Sequence, residues 1–450
     1  MTRVVVIGAG IAGLAAAHEA LAQDPNANVR VLEASQRPGG LVHTENVDDR
    51  WLIEQGPDAM ASYQPGGLSA AKRAGLESEF THPGEGGTWM VRRDRLHPLP
   101  AGLLGASRGV GMALLASRLF SPAGKARMVI EPFIRGEAPP RDESVSTFFR
   151  RRFGDEFTDR LVDPLLRGIF RTPTERLSIE ATLPRFQQLE REHGSVVIGL
   201  SRGRSQPKRS MPPLVSFDGG MARLPAELAA ALGDRVHYGA VATGIGRRLD
   251  GSWAVGLSDG SAVGADALIL AVPAWVAARL TERFDAELAT QMATLRFSPV
   301  TLVTFGWDEG VELPQDATGF LVPREEERSI AACTLISNKW RGRAPEGADL
   351  LRVSSTEHTL PAADVAEAAL KDLQDLIGIK AEPQLVRVHR IKDGLPRRDV
   401  GHAERVERLL AQARGHDGLA LAGSAHGAAG VPGCIQSGQE AARTALDTAA

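Results

Sequence analysis

The chain is short of several things, and each shortage removes a class of function. It has only two cysteines, Cys333 and Cys434, far apart in sequence. They supply neither a disulfide framework nor metal-ligand spacing, so no metal is expected, and the count fits a reducing cytoplasm. Formal net charge is only −3 over 450 residues, so no global field favours nucleic acid or an anionic surface. An acidic substrate must be attracted by locally placed arginines instead. No run of about 20 uninterrupted apolar residues occurs, so no transmembrane helix is expected. No cationic leader precedes the first apolar run, so no secretory signal is expected. Tyrosine is scarce too, with Tyr63 and Tyr238 alone.

What is present is concentrated at the start. Val4-Val5-Val6-Ile7 is a short apolar run, followed at once by Gly8-Ala9-Gly10-Ile11-Ala12-Gly13 and a helical stretch from Leu14 to Ala22. A second apolar run, Val29 to Leu32, ends on Glu33, and Arg37 and Gly39-Gly40 follow. Strand, glycine turn, helix and strand ending in an acid form a dinucleotide-binding layout. Gly8 permits the tight turn, Gly10 lets backbone approach a pyrophosphate, and Gly13 brings helix close to strand. The helix N-terminus offers free N–H groups and a positive dipole end to phosphates. Glu33 would accept hydrogen bonds from a ribose hydroxyl and would repel the extra phosphate of NADP.

The length suggests two or three domains, and 43% hydrophobic residues suffice for a large core. The expected fold class is α/β. Residues 1–75, 210–285 and 386–450 read as one discontinuous Rossmann-like domain, with Trp51 to Glu54, Val236 to Val241 and Leu268 to Val272 as strands. A hairpin is expected around Asp259-Gly260, a helix at Arg223 to Leu232, and a last strand at Leu419 to Ala422 before a helix from about Ile435 to Ala449. Residues 80–205 read as an inserted helical domain, with a helix start at Ser144. Residues 286–385 read as an inserted α+β domain, with strands Val300 to Phe305 and Leu350 to Ser354 and a helix Ala362 to Leu376. Residues 201–216, basic and proline-bearing, read as a mobile return crossing. Ala101 to Ile134 mixes Leu, Met and Phe with basic residues; a helical subdomain is the simpler reading, and a basic amphipathic surface resting on a bilayer is the other.

The continuation Val31-Leu32-Glu33-Ala34-x-x-Arg37-x-Gly39-Gly40 resembles the flavin-containing amine oxidase superfamily and turns a nucleotide expectation into FAD. Longer segments resemble its porphyrinogen oxidases: Ile53 to Asp58, Leu119 to Arg127, Phe148 to Glu156, Glu190 to Ser195, Ala332 to Thr334 with Asn338-Lys339-Trp340, and Gly430-Val431-Pro432-x-Cys434-Ile435. The match is closest to the oxygen-dependent coproporphyrinogen III oxidases and runs nearly end to end. It implies an FAD domain, a substrate domain and a helical domain that touches membrane in some members. It implies oxidation of a reduced tetrapyrrole by FAD, with O2 as acceptor and hydrogen peroxide formed. The implied location is cytoplasmic, with peripheral contact at the inner face of the cell membrane as an alternative, and the implied successor in the pathway is a ferrochelatase.

By that resemblance Gly8, Ala9, Gly10, Ile11, Ala12 and Gly13 hold the pyrophosphate, and Glu33 with Ala34 the ribose. Arg37, Gly39 and Gly40 approach the phosphates or ribityl chain. Gly56, Pro57, Asp58 and Ala59 pass near the flavin, and the backbone of Val241 meets the adenine. Gly430, Val431 and Pro432 precede the last helix, whose positive end faces the flavin. Arg171, Arg397 and Arg398 are candidates to hold substrate propionates, because a guanidinium matches a carboxylate in a forked geometry. No general base is named: His193 and Cys434 read as structural.

Departures from the family gather on the substrate side. Phe170-Arg171-Thr172-Pro173 stands where Tyr-Ala-Gly-Asp is usual, and Pro396-Arg397-Arg398 where Pro-Gln-Tyr is usual. Ile391 replaces an aromatic residue, Ala59-Met60 replaces Ser-Phe, and Gly433 replaces an aspartate. The alternatives that remain are a protoporphyrinogen oxidase, an FAD-bound porphyrin carrier with little catalysis, and an amine oxidase-like flavoenzyme. The last is disfavoured by the shortage of tyrosine for an aromatic cage.

Overall fold

The computed structural model describes residues 1–99, 110–134, 141–202 and 212–449. The chain divides into two compact units, Met1–His82 with Met211–Arg296 and Glu404–Ala450, and Pro83–Ser210 with Phe297–Ala403.

The first unit is built on a five-stranded parallel sheet in the order Val236–Tyr238, Asn28–Glu33, Arg3–Ile7, Ala267–Leu270, Leu419–Leu421. Central strands of such a sheet are covered on both faces, which is why Val4, Val5, Val6, Leu268 and Ile269 form unbroken apolar runs at 0–1% exposure. The first helix, Ile11–Gln23, and the last, Gly430–Thr448, pack on this core together with Arg223–Leu232. The Asp259-Gly260 hairpin is present, joining strands Trp253–Leu257 and Ala262–Ala265.

The second unit holds a seven-stranded sheet in the order Leu385–Pro396, Phe297–Trp307, Asp349–Ser355, Ile330–Leu335, Ala317–Leu321, Gly87–Arg92, Arg95–Pro98. The helix Ala362–Ile377 covers one face, burying Val365, Ala369 and Leu373 against Val303, Phe305 and Val353. A separate core gathers Phe148, Phe149, Phe153 and Phe157 from the helices at Val145–Phe153 and Asp155–Phe157. Ser144 caps the first of these, accepting from Thr147 N–H at 3.0 Å.

Several boundaries differ from the sequence-based expectation. The first helix begins at Ile11 rather than Leu14, and the last at Gly430 rather than Ile435, so Gly430, Val431 and Pro432 are its first turn rather than its approach. Proline fits there because the N–H it lacks has no intrahelical partner in a first turn. The strand from Val236 stops at Tyr238, because the chain turns at Gly239 with φ 72°. The stretch expected to be helical opens with the hairpin Gly87–Arg92 and Arg95–Pro98, whose two turn residues, Arg93 and Asp94, both have positive φ. The helical stretch and the α+β segment, drawn apart in the sequence, both fall in the second unit.

Two edges of that segment move as well. Residues 386–403 stay with the second unit, because Leu385–Pro396 is the sheet neighbour of Phe297–Trp307. Residues 286–296 stay with the first, where Asp285 caps the helix Ala286–Ala293 through Leu288 N–H at 2.9 Å and also meets His416 at 2.8 Å. Of the basic crossing, residues 203–211 lie outside the described residues, and Leu214–Phe217 is a strand. Residues 101–109 of the amphipathic stretch also lie outside them.

Candidate cofactor and substrate sites

The turn after the first strand is held from two sides. Gly8 N–H donates to the Leu32 carbonyl at 2.8 Å. The Glu33 carboxylate accepts from Ala9 N–H at 2.7 Å and, through its other oxygen, from Ser35 N–H at 2.8 Å and the Ser35 hydroxyl at 2.7 Å. A second glycine turn is stitched alongside: Gly39 N–H donates to the Ala9 carbonyl at 2.8 Å, and Gly10 bridges Gly39 in parallel. Gly39 and Gly40 have φ of 101° and 58°, a conformation that glycine enters freely. The Arg37 guanidinium folds back onto this turn and donates to the Gly40 carbonyl at 3.1 Å, so it shapes the loop. Ala34 is exposed beside it.

The glycines of the first turn do different jobs. A Cβ on Gly8 would lie 2.5 Å from the Ala271 carbonyl oxygen, and one on Gly13 would lie 1.9 Å from the Gly8 carbonyl oxygen. Packing requires both. A Cβ on Gly10 would meet no protein atom within 4 Å, and its φ is an ordinary −66°. Nothing in the fold needs glycine there, so the bare backbone at Gly10 is room for a ligand. The helix that starts beyond it at Ile11 has no capping side chain and no acid in its first turn, which leaves its end N–H groups to an anion.

The other expected cofactor residues surround this turn within the first unit. Val241 follows Ala240, whose N–H donates to the Glu33 carbonyl at 2.9 Å, so the adenine and ribose candidates are neighbours. The Val241 carbonyl accepts from Ser258 N–H at 2.9 Å, and its side chain is exposed. Gly56, Pro57, Asp58 and Ala59 form a partly buried loop, and a Cβ on Gly56 would lie 2.0 Å from the Leu41 carbonyl oxygen. Gly430 (φ 84°), Val431 and Pro432 open the last helix, which also lacks a capping side chain and an acid in its first turn. That helix reaches the first: a Cβ on Gly438 would lie 2.0 Å from the Ala12 carbonyl oxygen. Gly66 and Gly67 press on Pro432 in the same way, at 2.8 Å from its carbonyl oxygen and 3.0 Å from its ring. The Gly66-Gly67 pair, and Ser35 beneath Glu33, were not singled out in the sequence; the adjacent glycines were the available signal.

These features fit FAD. Gly8 to Gly13 would hold its pyrophosphate and Glu33 its ribose, since the carboxylate oxygens keep acceptor capacity beyond the bonds they already make.

In the second unit the arginine candidates separate. Leu177 bridges Asp399, Ser178 N–H donates to the Arg398 carbonyl at 2.7 Å, and Val400 N–H donates to the Arg176 carbonyl at 2.9 Å. The segment after Arg171 therefore runs beside Arg397 and Arg398. The Arg397 guanidinium is taken by Asp399, at 3.1 and 2.8 Å from its two oxygens. Arg398 is buried. The Arg171 guanidinium makes no hydrogen bond or ion pair among the described residues, and burial, reinforced by the like charges of Arg352 and Arg167, pushes it down to about 10.

The family-like helical motifs explain one another structurally. Glu156 accepts from Ser121 N–H at 2.6 Å, at the start of the helix Pro122–Val129. Arg127 from that helix donates to the Arg151 and Arg152 carbonyls at 2.7 and 2.8 Å. Arg152 is paired with Glu131 at 0–1% exposure, and Glu131 also accepts from Val196 N–H at 3.0 Å. Arg151 is paired with Glu143 and Glu190. His193 ends the helix Pro184–His193 against Gly199, a structural position. Cys434 packs on the core of the first unit. Among the described residues, no helix is long and apolar enough to cross a membrane.

The profile of the flavin containing amine oxidoreductases matches residues 11–446. Coproporphyrinogen III oxidase of Bacillus subtilis (strain 168) is 30% identical, over 98% of this chain and 97% of that one. Protoporphyrinogen oxidase of Homo sapiens is 30% identical, over 99% of this chain and 98% of that one. A crystal structure from Exiguobacterium sp. 255-15, provisionally assigned as a protoporphyrinogen oxidase, superposes with TM-score 0.87 at 27% identity, covering 99% of both chains. The glycine cradle and these matches together make this chain a member of the flavin containing amine oxidoreductase family, an FAD-dependent oxidoreductase.

Proposed function

We propose that the chain oxidises coproporphyrinogen III to coproporphyrin III in haem biosynthesis, with O2 as acceptor and hydrogen peroxide as by-product. The observation that carries this reading is similarity to coproporphyrinogen III oxidases over nearly the whole chain. Likeness confined to the cofactor cradle would fit many flavoproteins. The second reading, protoporphyrinogen IX, is favoured by relatives of that name with equal coverage. The uncompensated cation at Arg171 favours the substrate with more carboxylates.

Bound FAD supplies hydride acceptance from a methylene bridge of the reduced macrocycle. The chain's residues bind and orient. Gly8 to Gly13, Glu33 and Val241 fix the nucleotide half. Gly56 to Ala59 and the first turn of the last helix take the flavin half, where a positive helix end favours negative charge. Arg171 serves a propionate, whereas Arg397 is held by Asp399. Residues 1–82, 211–296 and 404–450 then act as the FAD-binding part, and the rest as the substrate part.

A cytoplasmic location with peripheral membrane contact is part of this proposal. It is supported by Met112, Val129, Ile130 and Phe133, exposed at 72, 54, 49 and 82% between residues 110 and 134. The metal-free macrocycle would pass to a ferrochelatase.

The test is to supply purified, FAD-loaded protein with coproporphyrinogen III, protoporphyrinogen IX and simple amines in air. Porphyrin fluorescence should rise faster than in the enzyme-free control, fastest with coproporphyrinogen III. Porphyrin bound without acceleration would indicate a carrier, and peroxide from amines alone an amine oxidase.

A further inference from the structure

The helix Asp163–Phe170 of the second unit ends on Arg171, whose φ is 51°. This left-handed C-terminal position normally goes to glycine, because a side chain there is strained. The guanidinium adds two further costs. It is partly buried, and the charges that act on it are Arg352 and then Arg167, with no carboxylate among them. Other arginines of this unit are treated differently: Arg151, Arg152, Arg328 and Arg397 each hold carboxylates.

The neighbours come from other elements. Arg352 lies on the strand Asp349–Ser355, opposite Thr304 and Thr334. Its flanking residues Leu351 and Val353 belong to the core under the helix Ala362–Ile377, so Arg352 alternates to the other face of the sheet. The helix Asp163–Phe170 packs on the adjoining strands Ala317–Leu321 and Ile330–Leu335. His358, with Nδ1 at 2.9 Å from the Thr301 hydroxyl, also feels the charge of Arg171. Strain, partial burial and like-charge crowding thus meet at one side chain, whose guanidinium holds no carboxylate among the described residues.

We infer that Arg171, backed by Arg352, binds a carboxylate of the substrate and is the anchoring arginine of this unit. A carboxylate accepting both arms of the guanidinium would offset the burial and the repulsion together. Arg397 is unsuited to the role because Asp399 already fills its fork. That the carboxylate is a propionate rests on the function proposed above.

The experiment compares wild type with Arg171→Gly and Arg171→Asn, both compatible with left-handed backbone. The probes are coproporphyrin III and its tetramethyl ester, titrated by porphyrin fluorescence against the FAD-loaded protein. Both variants should melt no lower than wild type. Both should bind coproporphyrin III about tenfold more weakly or worse, as loss of a charge-assisted contact implies, while the ester binds all three proteins alike. Unchanged coproporphyrin binding, an equal loss for acid and ester, or no coproporphyrin binding by wild type would each overturn the inference. Oxidation of coproporphyrinogen III separates the two claims. Activity with Arg171-independent binding leaves the function and removes the anchor, whereas Arg171-dependent binding without oxidation removes the function and leaves the anchor.

Discussion

Gly438 faces Ala12 across the contact between the last and first helices so closely that a Cβ would lie 2.0 Å from the Ala12 carbonyl oxygen and 3.1 Å from Ala16 N. Backbone cannot yield as a flexible side-chain tip can. This contact fixes the first turn of the last helix relative to the glycine turn near the start of the chain, although 425 residues separate Gly438 from Gly13 in sequence.

Gly438→Ala is therefore expected to push the two helices apart and to cost about 1–3 kcal/mol by overpacking. Urea unfolding should show the loss, and FAD affinity should fall with it. A variant as stable as wild type would mean that the helices have slack at this crossing.

Much of the first unit was legible because its signals are local. Gly8, Gly10 and Gly13 stand between an apolar strand and a helix, and Glu33 ends the next strand, so the context of the glycines is contiguous in sequence. Boundaries were less legible where a residue had two meanings. Pro432 reads as a stop but suits a first turn, and Arg93-Asp94 form a hairpin turn without the glycine or asparagine that usually marks one. The solitude of Arg171 was not legible, because it depends on charges from separate elements. The neutralisation of Arg397 by Asp399 rests on a pairing two residues apart that charge counting alone did not single out. The helical motifs carried the resemblance, yet only their mutual contacts show that they serve structure.

Glu131 and Arg152 test that last point. The Glu131 carboxylate accepts from Arg152 Nε at 2.7 Å and from Val196 and Val197 N–H at 3.0 and 3.2 Å, at 0% exposure. Glu131→Ala would leave a buried guanidinium with only the more distant Glu190, at 3.5 Å, as a charge partner, at a cost of about 3–5 kcal/mol. Denaturant titration should show it; a loss below about 1 kcal/mol would show that Arg152 finds another partner.

His426 lies in the loop between the last strand and the last helix. Both of its ring nitrogens are sealed from solvent with no hydrogen-bond partner among the described residues, and the effect of burial exceeds the opposing one of the Ala422 carbonyl. Burial pushes the imidazole down to about 4 from an ordinary 6.5. Between those values the unfolded chain binds a proton that the folded protein refuses. Stability should therefore fall as pH drops through this window, by about 1.4 kcal/mol per pH unit from this residue. His426→Phe should flatten the slope by one proton and also remove an unsatisfied polar group. Calorimetric or urea-derived stabilities across the window decide it; identical slopes would show that the ring is reached by water.

The central claim is that the glycine turn and the first turn of the last helix form an FAD cradle, in which Gly10 is bare for the ligand and Gly13 is bare for the fold. The most direct measurement is FAD titration of apoprotein, read by quenching of flavin fluorescence, for wild type, Gly10→Ala and Gly13→Ala. Wild type should saturate. Gly10→Ala should fold with an unchanged melting temperature as apoprotein yet bind FAD at least about tenfold more weakly, whereas Gly13→Ala should fail to fold stably. Wild-type FAD affinity in Gly10→Ala, or wild-type apoprotein that takes up no FAD, would contradict the account.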